Sequence, residues 1–230
     1  RQLYEGCIKL TEFPSLKHCV ALKTIPALWK DCTQLETAPA DYFPESVKNG
    51  TSAAYLFSGC TSLKTVPEDM FRHFEGTTII SEMFLNCTSL ESLPAGLFDK
   101  MTSITATASA FYGCTGFTGE SPYLTAEVEG APVKVHLYDR PDYPELFVKV
   151  PAKATDYKDT FKNCTKMADY AMIPTAWGGV SDGTRVHQWE GAQASSQLWV
   201  VEPTNDGRVK IKSNLAGKLL DPGMATENGT

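Results

Sequence analysis

The segment FLNCTSLESLP, residues 84 to 94, recurs along the chain with the same spacing of its main residues. FSGCTSLKTVP occupies residues 57 to 67, and WKDCTQLETAP occupies residues 29 to 39. Each copy has an aromatic residue three positions before a cysteine, a leucine three positions after it and a proline at position +7. These fixed offsets indicate a structural repeat, so the rest of the sequence can be aligned on its cysteine.

The seven cysteines mark the period of this repeat. They lie at positions 7, 19, 32, 60, 87, 114 and 164, with successive gaps of 12, 13, 28, 27, 27 and 50 residues. Both flanking positions are apolar in every copy. Position −3 holds Tyr4, Leu16, Trp29, Phe57, Phe84, Phe111 and Phe161, and position +3 holds Leu10, Leu22, Leu35, Leu63, Leu90, Phe117 and Met167. Because the first two gaps are about half a period, we interpret Cys7 to Cys32 as one coil with a half-repeat at Cys19, with a coil of unusual shape as the alternative.

A fixed period of this length predicts a solenoid, in which small units bury their apolar sides against their neighbours. The pattern FxxCxxL suits a helical turn or a tight bend, because residues three apart share a face. The SLESLP segment that follows alternates apolar and polar residues, as a short strand does, and its proline should end that strand. The predicted fold class is therefore an α/β repeat solenoid of short strands and helical turns.

The cysteines are expected to be free, buried and apolar in character. An odd number of cysteines without a CxxC pair is poor evidence for a zinc site or a disulfide framework. Equivalent side chains in a stacked ladder also point the same way, which does not suit disulfide geometry. A catalytic nucleophile would be needed once, whereas this residue recurs in every unit.

The long gap before Cys164 predicts an insertion at about residues 118 to 160. Val133, Val135 and Leu137 alternate with polar or aromatic residues, which predicts a strand of a hairpin that begins at a turn over residues 130 to 132. We expect this hairpin to pack on the solenoid by ordinary contacts. A ligand groove is the alternative, and its lining would be Tyr123, His136, Tyr138, Asp139 and Tyr143.

The repeats FLNCTSLESLP and AFYGCTGF resemble the cysteine-containing leucine-rich repeats of the BspA type, which occur in surface proteins of Bacteroides and related bacteria. This resemblance covers residues 1 to 178 and implies a leucine-rich-repeat solenoid. It also implies an extracytoplasmic protein, either at the bacterial cell surface or outer membrane as a lipoprotein, or secreted. Its partners would be surface proteins or glycans of the host or of bacteria.

Residues 179 to 230 resemble part of a ricin-type β-trefoil lectin. The QxW signature corresponds to residues 197 to 199, the DG turn to residues 206 and 207, and the SGKxLD segment to residues 216 to 221. The VVEP and RVKIK segments around that turn are predicted strands. The resemblance implies that His187, Trp189, Gln197 and Asp221 bind carbohydrate. Ser196 replaces the asparagine of the family, and the acid expected near residue 174 is missing. Since a trefoil needs three such units to close, the segment represents only part of one.

Ligand recognition by the solenoid would fall to the residues that differ between copies, because they face solvent between the core leucines. These candidates are Glu36, Thr37, Lys64, Thr65, Glu91 and Ser92. Their mixed charges suit a protein or a polar glycan. Two functions compete: adhesion or recognition through the repeat face, and lectin-type carbohydrate binding as an accessory in bacterial glycan capture.

Composition and motifs disfavour several other classes of protein. The formal net charge of −6, without a basic cluster, disfavours nucleic-acid partners, and no apolar run is long enough for a membrane span. None of His18, His73, His136 and His187 belongs to a metal-binding motif, and no GxSxG or P-loop is present. We therefore expect a non-enzymatic protein without a metal or cofactor. An enzyme whose catalytic domain lies outside this segment is the remaining alternative.

Overall fold

The computed structural model describes residues 3–16, 18–23, 25–40, 42–128, 130–181, 199–203 and 209–213. The chain divides into two compact units, one of residues 1–125 and 134–183 and the other of residues 126–133 and 184–230.

The helices are short. Turns of 3-10 helix occupy Glu45–Asn49, Glu68–Phe71, Ala95–Phe98, Leu137–Asp142, Pro144–Leu146, Tyr170–Met172 and Thr175–Trp177, and the one-turn helix α1 occupies Ala154–Tyr157. Strands β1 (Tyr123–Val128) and β2 (Ala131–His136) form one two-stranded sheet, and β3 (Trp199–Pro203) and β4 (Val209–Ser213) form another.

Backbone hydrogen bonds join each repeat, which we call a coil and name by its cysteine, to the next. At position −3, the N–H of Phe57 donates to the carbonyl of Met83 at 2.8 Å, and the N–H of Phe84 donates to that of Ala110 at the same distance. Positions −5 and −1 donate in the same way. The N–H groups at the positions between them bond within their own coil, as Leu85 does to the carbonyl of Glu82 at 3.2 Å. Alternate N–H groups therefore bond within a coil and between neighbouring coils.

The beginning of the stack agrees with the interpretation of residues 7 to 32 as one repeat period with a half-repeat inside it, so that Cys7 and Cys32 lie in neighbouring coils. The N–H of Tyr4 donates to Leu28 at 3.2 Å, and that of Gly6 donates to Lys30 at 2.8 Å. The Cys7 coil thus bonds directly to the Cys32 coil. The half-repeat at Cys19 forms a turn of its own, in which Cys19 donates to Leu16 at 2.8 Å.

The aromatic residues at position −3 form a column through the core. The rings of Trp29, Phe57, Phe84, Phe111 and Phe161 stack with centroids 5.2 to 5.4 Å apart and planes within 17° of parallel. All five side chains are fully buried. Since a buried Phe contributes roughly 1.5 to 3 kcal/mol, this column is a large part of the stability of the stack. Beyond Phe161 the 3-10 helix Thr175–Trp177 takes the place of a further coil, because Trp177 accepts the N–H of Phe161 at 2.8 Å.

The free thiols connect neighbouring coils. Cys60 Sγ lies 3.1 Å from the carbonyl oxygen of Trp29, and Cys87 Sγ lies 3.1 Å from that of Phe57. Cys32, Cys114 and Cys164 donate in the same way to the −3 residue of the preceding coil. The expectation of burial is confirmed for these five cysteines, although the thiol is a hydrogen-bond donor as well as an apolar filler.

Two cysteines contradict that expectation, because Cys7 is exposed and Cys19 is half-buried. Within the described residues, the Cys7 coil has a neighbouring coil on one side only. Cys19 lies in the half-repeat, which the direct bonding of the Cys7 and Cys32 coils leaves out of the stack. The five buried cysteines, by contrast, all bond to a preceding coil.

The FxxC segment is a tight bend, and the alternative of a helical turn is wrong. Asn86, at position −1, has a φ of +57°, and Glu82, at position −5, has a φ of +56°. Left-handed residues at both places interrupt any right-handed helix. Residues at position −1 are well suited to this conformation, because Gly, Asn and Asp adopt it at the lowest cost.

The segments around SLESLP are extended, but the prediction of a regular strand in each repeat is wrong. Isolated parallel bridges pair Thr37 with Thr65, and Ile79 with both Ser52 and Ala106. Longer ladders do not form, since the proline at position +7 has no N–H and 3-10 helices begin directly after Pro67 and Pro94. The assignment to the leucine-rich-repeat class stays a prediction.

Both predicted hairpins are confirmed, with corrections to their bounds. In the insertion, β2 already contains Ala131, so the predicted turn over residues 130 to 132 is centred on Gly130 (φ +83°). The strand ends at His136, and Leu137 and Tyr138 begin a 3-10 helix. Near the C-terminus, β3 and β4 pair in antiparallel register with Val201 opposite Ile211. The turn predicted between β3 and β4 lies outside the described residues.

Position −1 alternates between glycine and a short polar residue along the stack. The order is Gly6, Asp31, Gly59, Asn86, Gly113, Asn163, and every one of these residues has a positive φ. A Cβ atom on Gly59 would clash with Oδ1 of Asp31, and one on Gly113 would clash with Oδ1 of Asn86. The side chain of one coil therefore occupies the space that a side chain in the next coil would need.

We predict that Gly113→Ala lowers the free energy of unfolding by more than Gly6→Ala does. The two glycines have nearly equal φ values, +77° and +73°, so both substitutions carry the cost of about 1 to 2 kcal/mol for a left-handed alanine. No atom lies within 4 Å of a Cβ at Gly6, whereas a Cβ at Gly113 would clash with Oδ1 of the exposed Asn86 side chain, which would have to move, so Gly113→Ala should cost more. Urea unfolding measures the difference. Asn86→Gly should remove the additional loss, and the same loss in that background would contradict the steric explanation.

We also predict that the thiols differ in reactivity toward Ellman's reagent. Burial raises the pKa of Cys32 to about 11 and raises the pKa values of Cys87 and Cys114 as well. These thiols should react only after unfolding, since the thiolate is the nucleophile, whereas the exposed Cys7 should react in the folded chain. Cys7→Ser should remove the fast phase. Rapid reaction of three or more thiols in that folded variant would refute the prediction.

Candidate functional site

The six residues predicted for the repeat face lie together in neighbouring coils. The N–H of Lys64 donates to the carbonyl of Glu36 at 3.0 Å, and the N–H of Glu91 donates to that of Lys64 at 2.9 Å. Thr37 and Thr65 form a parallel bridge, and Ser92 follows at the same position of the next coil. All of these residues are exposed except Thr65, which is half-buried. The coil geometry thus forms a continuous surface of positions +4 and +5.

The charges on this surface are paired with one another. Nζ of Lys64 lies 2.7 Å from Oε2 of Glu36, and this hydrogen bond lowers the pKa of Glu36 and raises that of Lys64. Glu91 adds a weaker attraction to Lys64. A ligand that used the ammonium group would have to compete with Glu36, so the surface offers little uncompensated charge.

The insertion begins next to this surface and covers it at the last coil. Asp169 lies at position +5 of the Cys164 coil, the position that Thr37, Thr65 and Ser92 occupy in the other coils. Unlike those residues, Asp169 is buried with an exposed fraction of 6%. Its Oδ1 accepts the N–H of Ser121 at 3.1 Å, and its Oδ2 accepts the hydroxyl of Tyr138 at 3.0 Å. Asp169 therefore anchors the insertion to the stack.

His136 completes this polar cluster. Its Nδ1 lies 2.7 Å from the hydroxyl oxygen of Ser121, and that hydroxyl donates to Oδ2 of Asp169 at 2.5 Å. Nδ1 is also 3.0 Å from the carbonyl oxygen of Ser121, so it carries the proton in the neutral ring. Burial lowers the pKa of His136, and the carboxylate of Asp169 opposes this shift.

The cluster contains Ser, His and Asp, but its geometry does not suit nucleophilic catalysis. Ser121 and Asp169 approach the same nitrogen of His136, whereas a catalytic triad uses the two different nitrogens. Ser121 is also fully buried, so that no substrate can reach its hydroxyl. The cluster is a structural link between the insertion and the last coil.

The groove considered for the insertion is largely filled by packing. The ring of Tyr138 stacks on the ring of His136, with centroids 5.1 Å apart and planes 1° from parallel. The ring of Tyr123 also contacts that of His136, with centroids 5.2 Å apart. Asp139 is buried and accepts the N–H of His136 at 3.0 Å. Tyr143 begins the 3-10 helix Pro144–Leu146, where it is half-buried. These contacts agree with the expected packing of the hairpin.

Arg140 is a second anchor, which no sequence pattern predicts. Its guanidinium group is almost fully buried and donates to the carbonyls of Met101 at 2.7 Å and Phe98 at 3.1 Å. It also lies 4.4 Å from the ring centroid of Phe147. Burial lowers the pKa of Arg140 to about 10, and the nearby Asp99 partly opposes this effect. Arg140 thus satisfies carbonyls at the end of the 3-10 helix Ala95–Phe98.

The residues predicted to bind carbohydrate, His187, Trp189, Gln197 and Asp221, lie outside the described residues. The described strands nearby are β3, which begins two residues after Gln197, and β4. Within the described ranges, no group of three His, Cys, Asp or Glu side chains could hold a metal ion. The helices of these ranges also include none that is long and apolar enough to cross a bilayer.

Comparison with known proteins identifies a similarity in the C-terminal part. Residues 161–230 match the family model described as ricin-type beta-trefoil lectin domain-like. Comparison with curated proteins gave no match. The matched range begins within the last coil, where Phe161 stacks on Phe111 and Cys164 bonds to the same residue. The C-terminal part of the chain is therefore similar to a lectin domain, and the leucine-rich-repeat resemblance of residues 1 to 178 stays a prediction.

We predict that stability falls as the pH drops below about 6.5, because of His136. Since burial holds its pKa below the ordinary value of 6.5, the folded state favours the neutral ring, and protonation favours the unfolded state. The stabilisation is complete above pH 6.5 and is lost as the pH falls through the lower pKa of the folded state. Urea unfolding between pH 7.5 and pH 5 measures this loss. The His136→Gln variant keeps the other charged neighbours, Glu120, Lys134, Asp139 and Asp169, and should lose less stability over the same range. An equal loss in both chains would rule out His136 as the cause.

Proposed function

We propose that this chain is a carbohydrate-binding protein of the lectin type, which serves as an accessory in glycan capture by bacteria. The observation that carries this proposal is the match of residues 161–230 to a ricin-type beta-trefoil lectin-like family. The QxW signature at residues 197 to 199 lies inside the matched range. The protein acts by binding and carries out no catalysis of its own. An extracytoplasmic location, at the cell surface or secreted, is part of the proposal.

The described hairpin supports this proposal. In the sequence pattern of these lectins, the QxW signature is followed by a DG turn and a strand. Trp199, the last residue of the signature, is the first residue of β3, and β4 returns antiparallel to it. The segment between them contains Asp206 and Gly207. The order of signature, DG pair and strand thus agrees with the family pattern.

The range that matches the lectin-like family overlaps the last coil, and this overlap limits where carbohydrate can bind. Ile173 and Trp177 are buried, and Pro174 forms a bridge with Ser181, so the segment near residue 174 is used to close the stack. It has no acid with which to bind a sugar hydroxyl. We therefore assign the carbohydrate site to His187, Trp189, Gln197 and Asp221, with Trp189 as the ring that stacks on a sugar.

The alternative function, adhesion through the repeat face, keeps its candidate residues but gains no support of its own. Glu36 and Lys64 neutralise each other there, which leaves Glu91 as the surplus charge of that surface. It stays a prediction from the sequence. A binding assay with surface proteins would test it separately from a test with glycans.

We predict that the chain binds glycans on an array and that Trp189→Ala weakens this binding about fivefold to tenfold. A stacking ring contributes about 1 to 1.5 kcal/mol, and 1.4 kcal/mol corresponds to a factor of ten. Isothermal titration with the best glycan of the array would give the dissociation constants. Met172→Ala is the matched control, because Met172 is 55% exposed within the same matched range and belongs to no proposed site. A silent array, or unchanged affinity of the Trp189 variant, would refute the proposal.

A further inference from the structure

The FxxC bends carry several exposed or half-buried side chains that are not part of the core. They lie at positions −5 and −2, where Tyr55 and Lys162 are exposed and Lys30, Glu82, Leu85 and Tyr112 are half-buried, whereas Ala27 and Ser58 at the same positions are buried. We define the tyrosine strip as the six residues Lys30, Tyr55, Glu82, Leu85, Tyr112 and Lys162. The strip runs across five consecutive coils, and it is distinct from the repeat face at positions +4 and +5.

Tyr55 is the most informative residue of this strip. Position −5 has a positive φ in every coil from Cys32 to Cys164, and the other residues there are Ala27, Glu82, Ser109 and Asp159. An aromatic residue is unfavourable in this conformation, because its bulk crowds the backbone. Tyr55 nevertheless has a φ of +59° and an exposed fraction of 37%, so burial does not compensate for the cost. Neither the backbone nor the core explains a tyrosine at this position.

Each tyrosine of the strip has a cation and a carboxylate beside it. Nζ of Lys30 lies 5.8 Å from the ring centroid of Tyr55, and a hydrogen bond from the Tyr55 hydroxyl to Glu82 raises the pKa of Tyr55. Nζ of Lys162 lies 5.8 Å from the ring centroid of Tyr112 and 3.5 Å from Oδ1 of Asp159. The strip therefore alternates apolar rings with groups that donate and accept hydrogen bonds.

These groups nearly neutralise one another. Lys30 forms an ion pair with Glu5 at 3.1 Å, as Lys162 does with Asp159, and Glu82 is the remaining acid. A strongly anionic or cationic ligand would meet as much repulsion as attraction here. The charge pattern thus favours a ligand that is uncharged but rich in hydrogen-bonding groups.

The spacing of the coils favours an extended ligand with a short repeat. Successive rings of the core column are 5.3 and 5.4 Å apart between the coils of Tyr55 and Tyr112, with Leu85 in the coil between them. One pyranose unit of an extended polysaccharide advances by a similar length. Sugar rings also have apolar C–H faces, which stack on aromatic rings, and hydroxyl groups, which bond to carboxylates and ammonium groups.

We propose that the tyrosine strip binds an uncharged polysaccharide chain, with sugar rings on Tyr55 and Tyr112 and one further unit over Leu85. The hydroxyl groups of these sugars bond to Lys30, Glu82 and Lys162. A protein partner fits the strip less well, because a protein interface needs a larger apolar centre than two half-exposed rings and one leucine provide. This site goes beyond the C-terminal lectin-like segment and does not require it.

The test is affinity electrophoresis of the chain in gels that contain one polysaccharide each: soluble starch, mixed-linkage β-glucan, xylan, galactomannan or the anionic polygalacturonate. All chains carry Trp189→Ala, so that failure of the C-terminal site does not affect the result. We expect retardation by at least one uncharged polysaccharide and none by polygalacturonate. Tyr55→Ala and Tyr112→Ser should each raise the dissociation constant about fivefold to tenfold, and both together should abolish retardation.

The variants are chosen so that the coils still form. Ala27 and Ser58 already occupy the equivalent positions of other coils, so alanine and serine are compatible with the backbone there. Ile79→Ala is the matched control, because Ile79 is 37% exposed, like Tyr55, and the equivalent residue of the next coil is Ala106. Unchanged retardation of the double variant, equal loss in the Ile79 variant, or no retardation by any uncharged polysaccharide would overturn the proposal.

Discussion

The N–H groups at positions −5, −3 and −1 have no partner within their own coil, and the carbonyls of the next coil bind them. An unpaired buried N–H costs about 1 to 3 kcal/mol, so once stacking removes these groups from water they need the carbonyls of the next coil as partners. The left-handed residues at positions −5 and −1 turn these N–H groups toward the next coil. The column of aromatic rings and the row of thiols follow from the same alignment, since both repeat at the spacing that the backbone bonds impose.

Some parts of this arrangement could be read from residue types. The apolar residues at −3 and +3 and the period of the cysteines were sufficient to place the core, and the Asp-Gly pair was sufficient to place the β3–β4 hairpin. Other parts could not, because they depend on backbone conformation. The letters FxxC fit a helical turn as well as a bend, and only the positive φ of residues such as Asn86 distinguishes the two. Position −1 did contain a usable signal, since Gly, Asp and Asn are the residues that favour a left-handed conformation.

The candidate sites show the same limit. The aligned repeats placed Glu36, Lys64 and Glu91 side by side, but they could not show that Lys64 is already paired with Glu36. Asp169 could have been noticed at position +5 of the last coil, where the Cys32, Cys60 and Cys87 coils carry Thr or Ser. Its link to Ser121 and His136 depends on the path of an insertion of about 40 residues, which no local pattern determines. Arg140 donates hydrogen bonds to two carbonyls that lie more than 35 residues away in the sequence, so no local pattern could predict its role either.

The alternation of glycine with Asp or Asn at position −1 also limits how the stack could change its length. Asp31 and Asn86 each place Oδ1 where a Cβ of the next coil would lie, so these coils are matched to a glycine in their neighbour. Deleting the Cys60 coil alone would place Asp31 directly against Asn86, and duplicating the Cys87 coil would place two asparagines in contact. Removing or adding two consecutive coils would preserve the order. In steric terms, the building block of this stack is a pair of coils, and an array shortened or lengthened in steps of two would keep every side chain in place.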